Sequence, residues 1–331
     1  MTHPAPLVDI WRGDLLESQH TGHAVICDDT GQIVDAWGDP DAVIFPRSSC
    51  KMVQALPLIE SGAADAFGLS DEHLALACAS HQGAAIHTDR VSRWLDDLDL
   101  GDADLRCGPQ APADRDAKHA MIRAHDTPCQ IHNNCSGKHA GFLTLTKHLK
   151  AGPEYVDIDH PVQVACKDTF EKLTAVNSLT FGIDGCSAPN FSTTVHGLAR
   201  AMAFFAAARG GDTRSDAAQR LVQAMTRFPE LVAGETRACT ELMRAMGGKV
   251  AIKTGAEGVF IAILPEKKIG VALKIIDGAT RASEAAIAAI LARLGALDAD
   301  HPAARKRLFG PITNWRGIET GHIRTDAFTK S

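Results

Sequence analysis

Pro46-Arg47-Ser48-Ser49-Cys50-Lys51 is the stretch whose reading decides the rest of the chain. Ser48 and Lys51 lie three residues apart where a helix is expected to begin, so both side chains leave from one helix face. A serine hydroxyl is a weak nucleophile until a base takes its proton. A lysine serves as that base only when burial or a neighbouring cation keeps its amine neutral. The bland alternative is a helix cap followed by an exposed lysine. What favours the chemical reading is the place of this stretch in the order of elements, together with a second lysine in Lys253-Thr254-Gly255.

Working outward, residues 21–27 and 32–37 are apolar runs flanking the turn-rich Asp28-Asp29-Thr30-Gly31, which predicts a β-hairpin. The helix after Ser48 buries Met52, Val53, Leu56 and Ile59, and Pro57 with Gly62 predicts a kink or an early stop. Ser70-Asp71-Glu72 caps a short apolar helix that gives way abruptly to Ala79-Ser80-His81-Gln82-Gly83. Residues 87–98 read as an amphipathic helix and 101–128 as an irregular crossing. Asn133-Asn134-Cys135-Ser136-Gly137-Lys138-His139 then has the form of a helix N-terminus that offers backbone N–H groups to a ligand. Helices are expected near 160–173, 193–208, 216–227 and 236–246, with a loop over 181–189. The chain returns to strands at 249–254, 259–264 and 270–276, and closes with a helix at 282–294.

Strands at both ends of the chain predict one antiparallel sheet packed on helices, an α+β arrangement. The expectation is a single domain over 1–331, strand-rich at about 15–60 and 248–331 and mostly helical over about 61–247. That layout returns Lys253 to the Ser48 helix. It resembles the serine β-lactamase and penicillin-binding arrangement, in which Ser-x-x-Lys is accompanied by Lys-Thr-Gly. The third penicillin-type motif, Ser-Asp-Asn, is absent from the sequence, which argues against a penicillin target.

The chain's 331 residues, 45% hydrophobic, can bury a large core. A net charge of −6 from 34 basic and 40 acidic residues, without a long basic run, speaks against a nucleic-acid or anionic-membrane surface. A small molecule is the expected partner. No signal-like N-terminus and no long apolar run is read, so a cytoplasmic location is expected. Nine cysteines without a regular framework suggest buried thiols, metal ligands or a reactive thiol rather than disulfides.

Arg47-Ser48-x-x-Lys51, Ala79-Ser80-His81, Asn134-Cys135-Ser136-Gly137-Lys138-His139, Asp184-Gly185-Cys186 and Val232-Ala233-Gly234-Glu235 together resemble the Rhizobium etli-type L-asparaginases, the serine-hydrolase class of the asparaginase II family. The resemblance spans nearly the whole chain. It implies a β-lactamase-like fold, hydrolysis of L-asparagine to aspartate and ammonia, and a homodimer. It further implies two Ser-Lys pairs in one active site, Ser48 with Lys51 and Ser80 with Lys253. Ser48 is the favoured nucleophile, because the spacing argument supports Lys51 as its base, and Ser80 would relay protons. A zinc ion is implied on Cys135, Lys138 and Cys186, with a role in positioning substrate. Without the resemblance, Cys135 and Cys186 read as ordinary buried thiols. An amino-acid substrate needs a cation for its carboxylate and an anion for its ammonium. Arg47 and His139 are candidates for the first and Asp184 for the second. Rival readings are a glutaminase, a penicillin or D-amino-acid hydrolase on the same scaffold, and a non-catalytic zinc or thiol sensor.

Overall fold

The computed structural model describes residues 3–329. An eight-stranded sheet draws its strands from both chain ends. In spatial order it runs Ile312–Thr313, Glu319–Arg324, Ala5–Arg12, Leu15–Cys27, Ile269–Ile275, Val259–Leu264 and Ala251–Thr254, and Ile33–Trp37 pairs with the end of Leu15–Cys27. Every pairing in it is antiparallel. The predicted hairpin is present, with Ala24 opposite Trp37. The sheet from both ends, packed on helices with a helical middle, is the expected β-lactamase-like layout.

Helices cover this sheet. Val195–Ala207 packs on Ile269–Ile275 and Leu15–Cys27, and Thr280–Arg293 packs on Val259–Leu264, Ile269–Ile275 and Ala5–Arg12. Val271, Ala272 and Leu273 are all fully buried although successive strand residues point to opposite faces, so the central strand is covered on both sides. That explains why the third expected strand reads as a continuous apolar run rather than an alternating one.

The serine helix, Lys51–Glu60, is the hub of the helical part. It packs against Pro161–Thr174, Thr213–Arg227 and Ser136–Leu149. Met52, Val53 and Leu56 are buried as expected, and Lys51 at its first position is only 1% exposed. Pro57 is accommodated within the helix, which stops at Glu60; the Ser61 N–H donates to the Pro57 carbonyl at 3.1 Å. Of the two outcomes expected from Pro57 and Gly62, the helix takes the early stop.

Phe181–Ile183, expected to be loop, is a short strand paired antiparallel with Pro189–Phe191, and two longer elements also depart from expectation. Ala5–Arg12 is a strand that buries Leu7, Val8 and Ile10, so the strand-rich end begins ten residues before the expected 15. Its outer partner is Glu319–Arg324, at the other end of the chain. Arg115–Ala124, expected to be irregular, is a helix whose Asp114 cap accepts the Ala117 N–H at 2.8 Å. It buries none of its residues fully, although Ala117, Ala120, Met121 and Ala124 recur at helical spacing on one face.

Candidate active site

The residues Arg47–Cys50 form one 3₁₀ turn at the head of the serine helix. The Ser49 hydroxyl and N–H both return to the Pro46 carbonyl, at 2.7 and 3.2 Å, and lock the turn. The Lys253-Thr254-Gly255 strand lies directly against it. A Cβ at Gly255 would sit 2.8 Å from the Pro46 carbonyl oxygen, so only glycine lets the strand approach this closely. Lys253 thereby comes to the serine turn across some two hundred residues of chain, as the element order predicted.

Ser80 follows the helix Asp71–Ala77, and its neighbourhood is stitched by backbone bonds. The Ser80 N–H donates to Val232 O at 2.9 Å and the His81 N–H to Asn134 O at 3.1 Å. His81 Nδ1 accepts the Gly83 N–H at 3.1 Å, which puts the ring proton on Nε2, where it donates to the Ser136 hydroxyl at 2.9 Å. Three of the separated motifs therefore meet at one point. Sequence reasoning singled out no histidine here, although His81 sits inside a quoted motif beside Ser80.

The lysines converge on Ser80. Lys51 Nζ donates to Ser80 Oγ at 3.0 Å, to Cys135 Sγ at 3.1 Å and to the Ala79 carbonyl. Lys253 Nζ lies 2.8 Å from the same Ser80 Oγ and 2.7 Å from the Thr254 carbonyl. The expected Ser80–Lys253 pair is formed. Lys51 makes its hydroxyl contact with Ser80 rather than with Ser48, and among the described residues Ser48 Oγ has no hydrogen-bond partner in the protein. Ser48 is half-buried, whereas Ser80 is 7% exposed.

Burial, and then the charge on Lys51, pulls the Lys253 amine down to about 7. The unfolded chain holds that proton up to the ordinary 10.5, so between about 7 and 10.5 the unfolded state binds more protons than the folded one. Stability must therefore rise with pH across that window, and below it the folded protein has to bury an ammonium. Chemical denaturation of wild type and Lys253→Met over this range should show the difference in unfolding free energy moving in favour of wild type as pH rises. A difference independent of pH would rule out a buried amine with a depressed pKa.

Beyond Lys51 lies a sulfur cluster. Lys138 Nζ donates to Cys186 Sγ at 3.0 Å, and Cys135 is the third member beside Lys51. The two sulfurs perturb each other in opposite directions: the neighbouring Cys186, with burial, lifts the Cys135 thiol well above its ordinary value, while Cys135 and Lys138 lower Cys186 well below, and the Cys135 thiol donates to Asn134 Oδ1 at 2.8 Å. Burial alone would lower the Lys138 amine, but the two cysteines raise it above its usual value. His139 Nδ1 meets the Tyr155 hydroxyl at 2.8 Å, while its buried Nε2 has no partner among the described residues. Burial lowers this imidazole to about 4, so it is neutral.

Cys135, Lys138 and Cys186, the three expected zinc ligands, are thus brought together. Two soft sulfurs suit zinc. Among the described residues no third histidine, cysteine or carboxylate completes a metal-binding group with them, so the third donor would be Lys138, and a metal would have to displace its proton. The substrate candidates are distributed differently from expectation. Arg47 Nε and Nη2 donate to Asp184 Oδ1 at 3.0 and 2.8 Å, so the two are paired with each other, while His139 is buried on the sulfur side.

A family profile described as L-asparaginase II matches residues 8–325. No curated protein matches the chain. Among solved structures, the native form of Mglu is 14% identical with a TM-score of 0.46, covering 88% of this chain and 68% of that one. Mglu in its glutamate form is 15% identical with a TM-score of 0.46, covering 85% and 62%. A β-lactamase from Mycobacterium bovis is 14% identical with a TM-score of 0.44, covering 88% and 96%. No helix is long and apolar enough to cross a membrane among the described residues. With the profile spanning almost the whole of the sequence, from the first strand to the last, the chain belongs to the L-asparaginase II family of amidohydrolases.

Proposed function

We propose that this protein hydrolyses the side-chain amide of L-asparagine to L-aspartate and ammonia, through an acyl-enzyme on Ser48. The observation that supports this is the unbroken chain Lys51 Nζ, Ser80 Oγ, Lys253 Nζ, with contacts of 3.0 and 2.8 Å. Lys51 has three acceptors around its amine, the number an ammonium satisfies. Lys51 gives a proton to Ser80 Oγ as the Ser80 hydroxyl proton passes to Lys253, and Lys51 is left neutral one helical turn from Ser48. It then takes the Ser48 proton as Oγ adds to the amide carbon. The proton returns to the departing nitrogen, ammonia leaves, and a β-aspartyl ester remains. Water, deprotonated by the same amine, releases aspartate and restores Ser48.

The Arg47–Asp184 pair beside Ser48 presents both charges an amino acid requires, and a substrate would exchange with it, carboxylate to Arg47 and ammonium to Asp184. His139, whose Nε2 is unpartnered, would assist at the carboxylate. Cys135, Lys138 and Cys186 would hold zinc, which when bound supplies a positive charge for orienting substrate. Homodimeric assembly and a cytoplasmic location belong to the same proposal. One observation favours a second reading: Ser80, not Ser48, contacts the amine held near 7 directly, which would make Ser80 the nucleophile.

Ammonia release from L-asparagine and L-glutamine, with and without a zinc chelator, tests the reading. Asparagine should exceed glutamine by roughly 10-fold or more in kcat/KM, since one methylene displaces the amide from the serine. Chelation should raise KM more than it lowers kcat. No release from either amide would sink the proposal. A stable adduct with a labelled penicillin would instead favour a β-lactam hydrolase, and a fast-alkylating Cys135 without amide hydrolysis a thiol sensor.

A further inference from the structure

A cavity of about 340 Å³ lies beside Arg47, and Ser48, Lys51, Ser80 and Lys253 do not line it. Its polar lining comes from four separate segments. His23, on the strand Leu15–Cys27, stands directly opposite Lys274 of Ile269–Ile275. His23 is 5% exposed, and its Nδ1 accepts the Asp39 N–H at 2.9 Å, so Nε2 carries the ring proton. That Nε2 has no hydrogen-bond partner among the described residues. Lys274 Nζ donates to the carbonyls of Glu257 and Ile275, which leaves its third hydrogen free. Arg47 spends Nε and Nη2 on Asp184 and keeps Nη1.

Three donors without acceptors thus border one small space, and the acid in its lining is Glu257. The rest is apolar: Val43, Phe45 and Ile276 line the cavity and are 54%, 38% and 50% exposed. None of the three is an orphaned buried donor, but an anion of matching size would accept from all three together in place of water. The size is that of a small-ligand pocket. We propose that this cavity is a binding subsite for a small α-amino acid with an apolar side chain. The carboxylate is taken by His23, Lys274 and Arg47, the ammonium by Glu257, and the side chain by Val43, Phe45 and Ile276. Because Arg47 also holds Asp184, an occupant touches the turn that carries Ser48.

The test is calorimetric titration of the full-length Ser48→Ala protein with L-leucine and with 4-methylpentanoate, which is leucine without its amine. Saturating L-aspartate is present to fill the catalytic centre. Leucine should bind saturably. Lys274→Met, added to this background, should weaken both ligands by about tenfold or more, the scale of one charge-assisted hydrogen bond. Glu257→Gln, at an exposed position where folding is not at stake, should weaken leucine similarly and leave 4-methylpentanoate unchanged. No saturable leucine binding would overturn the proposal, as would displacement of leucine by aspartate, or leucine affinity unaltered in the Glu257→Gln protein. Thermal melting of the Lys274→Met protein separates loss of the site from loss of the fold.

Discussion

Ser48→Ala is expected to lower kcat for L-asparagine by about 10⁴- to 10⁶-fold, the loss met when a covalent nucleophile is removed. The melting temperature should move by no more than a few degrees, because among the described residues Ser48 Oγ supports no hydrogen bond while Ser49 and Pro46 hold the turn. Ser80→Ala should cost less, about 10²- to 10⁴-fold, the range for loss of a proton-transfer group. It removes the link between the lysines but leaves Lys51 one turn from Ser48. A diazoketone analogue of asparagine followed by peptide mapping separates the two serines. The adduct should fall on the peptide containing Ser48, persist in Ser80→Ala and vanish in Ser48→Ala. An adduct on Ser80 that survives Ser48→Ala would transfer the nucleophile's role to Ser80 and make Lys253 its base.

The elements that sequence made legible are those whose apolar residues face the core with a clear period or run. The serine helix, the strands at 251–254 and 259–264 and the first hairpin all have neighbours close in the chain or deep burial on a defined face. Ala5–Arg12 was not legible although it forms a tight hairpin with Leu15–Cys27, because Pro6 and the adjacent buried pair Leu7 and Val8 break the strand alternation where its register shifts. In the site, the return of Lys253 to the serine turn followed from element order, and its pairing with Ser80 from the family resemblance. The direction of the Lys51 amine did not. Helix spacing puts Lys51 near Ser48, but the amine follows its acceptors, and these are the Ala79 carbonyl, Ser80 Oγ and Cys135 Sγ, supplied by two segments 28 and 84 residues away. Arg47 and Asp184 are likewise separated by 137 residues, and nothing local to either shows that they pair with each other. Contacts of this kind are set by which loops the sheet and the helical part hold together.

The sheet's own integrity gives the second large expectation, a loss of stability of about 3 kcal/mol or more for Gly270→Ala. Gly270 stands between Cys27 and Ile263 in the middle of the sheet. A Cβ added there would lie 2.1 Å from the Ala203 backbone nitrogen and 2.3 Å from the Ala199 carbonyl oxygen, inside any allowed contact. Ala199 and Ala203 are one helical turn apart and fully or almost fully buried, so the helix Val195–Ala207 rests on the strand through its smallest side chains. Neither obstacle is a flexible side-chain tip that could rotate away. The helix or the strand must shift by more than an ångström, which opens gaps along Met202 and Phe205, both buried in the same helix. Gly152→Ala is the control: its added Cβ meets nothing within 4 Å, and its backbone is not in the left-handed region. Urea titrations should show a clearly lower midpoint for Gly270→Ala and little change for Gly152→Ala. Equal midpoints would mean that the helix and the strand do not pack at this distance, and the strand that carries Lys274 opposite His23 would then have to be repositioned as well.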